Sequence, residues 1–161
     1  MNKLEFAIAM ENDGEKYYTE QAGKNKGSSL HSLFLKLAKD ERSHAEILSN
    51  KFAELPYELT ESDLLFDSQN VFKGVGDFKS EIRKIPSQVE LYREVLDREA
   101  KSVELYKQML AMAIDEKDKD LFEFLVLQET KHFNIFDEMV SLVERPEEWV
   151  EDAEFGTRKD Y

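Results

Sequence analysis

Apolar residues recur at three- and four-residue spacing through four long stretches of the chain, the mark of amphipathic helices. The first stretch runs from about Asn2 to Lys24 and ends at the turn-forming run Gly23-Lys24-Asn25-Lys26-Gly27. Ser28 or Ser29 can cap the second, which continues to about Leu55. The third starts at Ser87, where Ser87 and Glu90 make a capping-box pattern just after Pro86, and it ends near Asp115. Asp118 or Asp120 starts the fourth, which reaches about Glu144. Pro56, Pro86 and Pro146 all fall between these stretches, and strand-like alternation is weak throughout. The pattern predicts an all-α chain.

The connections are unequal. The first and second helices, and the third and fourth, are joined by short turns, so each pair is expected to form an antiparallel hairpin. About thirty residues, Pro56 to Pro86, separate the second helix from the third, which is long for a connection inside a compact domain. A crossover along the bundle explains that length and lets the second and third helices run parallel. Residues 1–145 thus read as one four-helix bundle, and 146–161 as a C-terminal tail. The tail carries Trp149, Phe155 and Tyr161, so it is expected to pack on the bundle or on a second subunit of a homodimer.

Each apolar stripe is broken near its middle by a carboxylate. The first stripe reads Leu4, Ile8, Glu11, Tyr18, Ala22, and the third Tyr92, Leu96, Glu99, Tyr106, Leu110. The second reads Leu33, Leu37, Glu41, His44, Leu48 and the fourth Leu121, Leu125, Glu129, His132, Phe136. Glu and His three residues apart share one helical face, close enough to reach one metal ion. The halves also match in register. An offset of 88 maps Glu11 onto Glu99, Tyr18 onto Tyr106, Glu41 onto Glu129 and His44 onto His132. The same offset pairs Leu33 with Leu121, Phe34 with Phe122, Leu37 with Leu125 and Ile47 with Ile135. A duplicated hairpin closing on itself by pseudo-twofold symmetry would gather four carboxylates and two histidines at mid-height.

Charge decides how such a cluster can exist. An ionised carboxylate buried without a partner costs several kcal/mol, and no Lys or Arg shares these stripes. Two divalent cations balance four carboxylates, and the hard, oxygen-rich set with imidazole suits iron or manganese and accepts zinc. The third histidine, His31, fits no such pattern and reads as an exposed or capping residue. The net charge of −13 argues against nucleic acid and anionic membrane surfaces as partners. Cysteine is absent, which excludes disulfides, thiolate catalysis and Cys-ligated iron centres. No apolar run approaches the roughly 20 residues of a membrane span, and an acid stands where a signal peptide needs its apolar region. These features point to a soluble, cytoplasmic protein.

A Glu from each of two helices and Glu-x-x-His from each of the other two is the ligand pattern of the ferritin-like di-iron carboxylate proteins. With Glu41-x-x-His44 and Glu129-x-x-His132 the chain resembles the rubrerythrins, specifically those without a rubredoxin domain. The resemblance covers the four helices and the long crossover, and more weakly the Glu148-Trp149-Val150 stretch. It implies two iron ions per chain, with Glu11 and Glu99 as terminal ligands, Glu41 and Glu129 as bridges, and His44 and His132 completing one ion each. It further implies that Tyr18 and Tyr106 place hydroxyls against ligand carboxylates, and that Asp40, with Gln128 as its counterpart, orients a histidine. The chain departs from the pattern at Ser102, where rubrerythrins carry a further carboxylate, and at Arg42, where haem-binding relatives carry Met; haem is not expected. The implied activity is reduction of peroxide or O2 with electrons from an external donor. Two alternatives stay open: an iron-handling protein with Fe(II) as substrate, and a bundle that metals merely hold together.

Overall fold

A computed structural model describes residues 2–62 and 88–144. Four helices make up its regular structure: α1 (Lys3–Lys24), α2 (Ser29–Phe52), α3 (Gln88–Met112) and α4 (Glu116–Glu144). No strand occurs among the described residues. The expected cap at Ser87, most of the crossover and the aromatic tail lie outside them.

Local chemistry sets the helix ends. Asn2 accepts from the Glu5 backbone N–H at 2.8 Å while the Glu5 carboxylate accepts from the Asn2 backbone N–H at 3.4 Å, a complete capping box. Between α1 and α2 the chain turns at Gly27, whose φ of +88° suits a residue without Cβ. Ser28 then caps α2 by accepting from the Leu30 N–H at 3.2 Å. His31 ties this turn down: its Nδ1 donates to the Ala22 carbonyl at 2.7 Å, which also accepts from the Asn25 N–H at 3.1 Å.

Three ends differ from the reading of the sequence, the first being α3, which stops at Met112, short of Asp115. Helix α2 stops at Phe52, short of Leu55, because Glu54 takes the left-handed conformation (φ 58°) and the Leu55 N–H closes back onto the Asn50 carbonyl. Helix α4 starts at Glu116, earlier than Asp118, because the Asp115 side chain accepts from the Asp118 N–H at 2.8 Å. Asp118 is therefore a first-turn residue and Asp115 the cap.

The core is divided. One apolar cluster joins the end of α1 (Tyr18, Ala22), the start of α2 (Leu33, Phe34, Leu37), the start of α3 (Tyr92, Val95) and the end of α4 (Ile135, Phe136, Met139). The other joins the opposite ends of the same helices through Ala7, Ile47, Leu48, Tyr106, Met109, Leu121 and Leu125. This pairing of ends makes α1 antiparallel to α2 and α3 antiparallel to α4, and sets α2 parallel to α3. Fully burying a Leu or Phe in such clusters contributes about 1.5–3 kcal/mol each. That sum holds four helices around a polar layer that the apolar residues alone would not tolerate.

Candidate metal centre

The polar layer consists of the residues that interrupt the stripes. Glu11, Glu41, His44, Glu99, Glu129 and His132 are all buried, none more than 4 % exposed. One ligand atom each from Glu11, Glu41, His44 and Glu129 lies within 4.8 Å of the others, and the same holds for Glu41, Glu99, Glu129 and His132. Two four-residue groups therefore overlap, and they share Glu41 and Glu129. Both imidazoles turn Nδ1 inward. His44 Nδ1 stands 2.9 Å from Glu129 and 3.5 Å from Glu11, and His132 Nδ1 stands 3.2 Å from Glu41 and 3.4 Å from Glu99. The rings lie face to face with centroids 6.1 Å apart.

These residues fit a metal because their polar atoms have nowhere else to go. Glu11 Oε2, Glu41 Oε1, His44 Nδ1, Glu99 Oε2, both Glu129 oxygens and His132 Nδ1 are buried without a hydrogen-bond partner. Each such atom carries the desolvation penalty of an unsatisfied group, about 1–3 kcal/mol and more when charged. Cations placed among them satisfy all of them together.

Without a metal, protons take the cations' part. Burial, then the charges of Glu11 and Glu129, pushes Glu41 well above the usual carboxylate range. Burial with Glu11 and Glu99 does the same to Glu129. Burial also acts to raise Glu11, but the charge of His44, then the adjoining Glu41 carboxyl and the Tyr106 hydroxyl, hold it down at about 2. For His44 burial opposes protonation, yet Glu11 and Glu129 lift it to about 10. His132 is lifted too, against its burial, by Glu99, Asp40 and Glu41.

Around these six, the tyrosines cross between hairpins. Tyr18 on α1 donates to Glu99 Oε1 on α3, and Tyr106 on α3 donates to Glu11 Oε1 on α1 at 2.5 Å. Burial, then the adjoining carboxylates, raises both hydroxyls far above their ordinary range, so they remain donors. Asp40 Oδ2 accepts from His132 Nε2 at 3.0 Å and from the Ser62 hydroxyl at 2.8 Å. Burial pushes Asp40 up, but His132 and Ser62 outweigh it and hold it low, so it acts as an acceptor and fixes the imidazole proton on Nε2. Gln128, its counterpart on α4, is aimed elsewhere and donates to Glu61 at 3.1 Å. Arg42 pairs with Glu15 on the surface.

Three contributors carry no sequence signal of this role. Glu61 and Ser62 reach Gln128 and Asp40 from the loop after α2, which no helical periodicity predicts. Gly14 is buried in mid-α1, where glycine costs about 0.5–1 kcal/mol relative to alanine. The glycine itself is visible in the sequence; its reason is not. A Cβ there would stand 3.1 Å from Glu41 Oε2.

No helix among the described residues is long and apolar enough to cross a membrane. Comparison with curated proteins and with solved structures gives no match. A family model described as Rubrerythrin matches residues 2–140 and spans every residue of the buried carboxylate–histidine layer. The chain belongs to the rubrerythrin family.

Proposed function

We propose that this chain is a di-iron oxidoreductase that reduces peroxide or O2 with electrons from an external donor. The observation that carries the reading is the sharing of Glu41 and Glu129 by two overlapping ligand groups. On this reading Glu41 and Glu129 would be shared by two ions, Glu11 and His44 would complete one, and Glu99 and His132 would complete the other. Iron held there as Fe(II) would supply the two electrons that, with two protons, reduce one hydrogen peroxide to two waters. Manganese and zinc also suit these ligands, but only a metal that changes oxidation state supports the chemistry.

The chain's own residues hold that chemistry in place. The apolar clusters above and below close the layer at its two ends. Tyr18 and Tyr106 hold Glu99 and Glu11 by one oxygen and leave the other, Oε2 in each case, free to ligate. Asp40 keeps His132 in the tautomer that presents a lone pair on Nδ1. These 161 residues hold no cysteine, so on this reading the electrons come from outside them.

Anaerobic loading with Fe(II), then stopped-flow mixing with peroxide or with O2, tests the proposal. Fast oxidation by peroxide, with turnover once a reductant is added, is the expected result. Uptake of many irons per chain would instead make Fe(II) the substrate. Absence of any redox response would leave the metals a structural part.

A further inference from the structure

The pseudo-twofold axis that relates the hairpins runs through the seam between α1 and α3, and Gly14 and Ser102 are related by the same offset of 88 as the ligands. A cavity of about 330 Å³ opens along this seam. Its wall includes Phe6, Ala9 and Met10 with the charged Asp13, Arg98 and Lys101, the last paired with Asp97 at 2.9 Å, and its lining extends past Gly14 and Ser102 to Tyr18, Glu41 and Glu99. It does not include Glu11, His44 or Glu129. A symmetric site is thus approached asymmetrically.

The glycine–serine difference accounts for this. A Cβ at Gly14 would lie 3.1 Å from Glu41 Oε2 and 3.3 Å from its Cδ, so a side chain there would crowd that carboxylate where the cavity reaches it. Ser102 puts a Cβ and a hydroxyl into the related position, with the hydroxyl bonded to the Arg98 carbonyl at 3.1 Å and the Met10 sulfur at 3.4 Å. On the other side of the bundle, Ser62 and Glu61 are fastened to Asp40 on α2 and Gln128 on α4, which lays chain over that seam. We infer that outside ligands reach the metal centre through the α1–α3 seam, and that Gly14 paired with Ser102 directs them to the ion of Glu99 and His132. The ligand class is a small anionic donor, such as the hydroperoxide anion, whose charge suits bound cations and the Arg98 guanidinium in the cavity wall. This rests on the di-metal reading above, and Gly14 acts as a positioning residue through Glu41.

Azide on the Co(II)-loaded protein is the probe, with metal content measured on every sample. Two Co(II) per chain, one azide per chain by visible absorption, and azide on the Glu99–His132 ion in soaked crystals are expected. Gly14→Ala should weaken azide binding about ten-fold or more at two Co(II) per chain, because the new methyl crowds Glu41. Ser102→Gly should open the other half and admit a second azide. Ala9→Trp, at an exposed position on the outer wall, should slow azide association several-fold without approaching Glu41, and it serves if Gly14→Ala loses metal. Azide on the Glu11–His44 ion, two azides on the wild type, or wild-type azide binding in both Gly14→Ala and Ala9→Trp would overturn the inference. A wild type that fails to take two Co(II) would overturn the di-metal reading, and this inference with it.

Discussion

The α1–α2 hairpin and the α3–α4 hairpin bring matching carboxylates and imidazoles to the polar layer but support them differently. Each contributes a lone Glu, a Glu-x-x-His and a Tyr that reaches across to the other. Around that shared set the hairpins part company. Asp40 on α2 grips His132, whereas Gln128 on α4 turns to Glu61. Gly14 on α1 puts no side chain beside Glu41, whereas Ser102 on α3 places a hydroxyl at the related position. The duplication therefore keeps the residues that neutralise and satisfy one another, and it lets their supports vary.

Equivalence of the two bridges is the first thing to break. Glu129→Ala should lower occupancy at both metal positions, and Glu41→Ala should do the same, as metal analysis of reconstituted protein would show. Glu11→Ala should empty one position and leave the other. Loss of a single ion from Glu129→Ala would demote that residue to a terminal ligand.

The pH dependence of the metal-free protein comes next. His44 has a folded value of about 10 against an ordinary 6.5, so its charged form stabilises the fold fully below 6.5, and that contribution is lost as pH rises through 10. Glu41 and Glu129, raised as well, act in the same direction, since both are easier to bury protonated. Glu11, at about 2 against 4.5, contributes above 4.5 and loses its contribution only as pH falls toward 2. Melting temperature without metal should therefore fall between pH 6.5 and 10, and Zn(II) should abolish that fall while releasing protons at pH 7. Equal curves with and without Zn(II) would count against binding.

The tyrosines sharpen the symmetric side of the comparison. Tyr18→Phe and Tyr106→Phe each delete one hydrogen bond to a charged carboxylate and keep the ring, so each should cost about 1.5–3 kcal/mol in chemical denaturation. The two losses should agree closely, because the bonds exchange places under the pseudo-twofold. A large difference between them would mean that the asymmetry of the supports reaches the ligands themselves.

Asp40 and Gln128 test the asymmetric side, with the smallest effects. Asp40→Ala should weaken metal binding about 10- to 100-fold, the usual price of losing a histidine's outer partner, while Gln128→Ala should leave affinity near that of the wild type. Competition with a chromophoric chelator distinguishes them.

Much of the bundle is legible in the sequence for a physical reason. Burial of a carboxylate is so costly that Glu11, Glu41, Glu99 and Glu129 inside apolar stripes announce a shared partner before any coordinates exist. Helix periodicity then fixes their faces, and the offset of 88 fixes their meeting. Less legible are contacts whose partners are remote in sequence and ordinary in type. Ser62 on Asp40 and Glu61 on Gln128 depend on the path taken after α2, which no local preference specifies. The end of α2 is hidden for a related reason, since Glu54 adopts a conformation that its residue type disfavours.

The exchanged hydroxyls of Tyr18 and Tyr106 also bear on the history such a chain can have. A hairpin bearing this ligand set is self-complementary, so two separate copies could pair and bond each other through the same two tyrosines. In a pair of identical copies, however, every substitution appears twice, and neither Asp40 opposite Gln128 nor Gly14 opposite Ser102 could arise. Joining both hairpins in one polypeptide releases each position from its mirror image. The single chain is what permits a symmetric ligand set to be entered from one side.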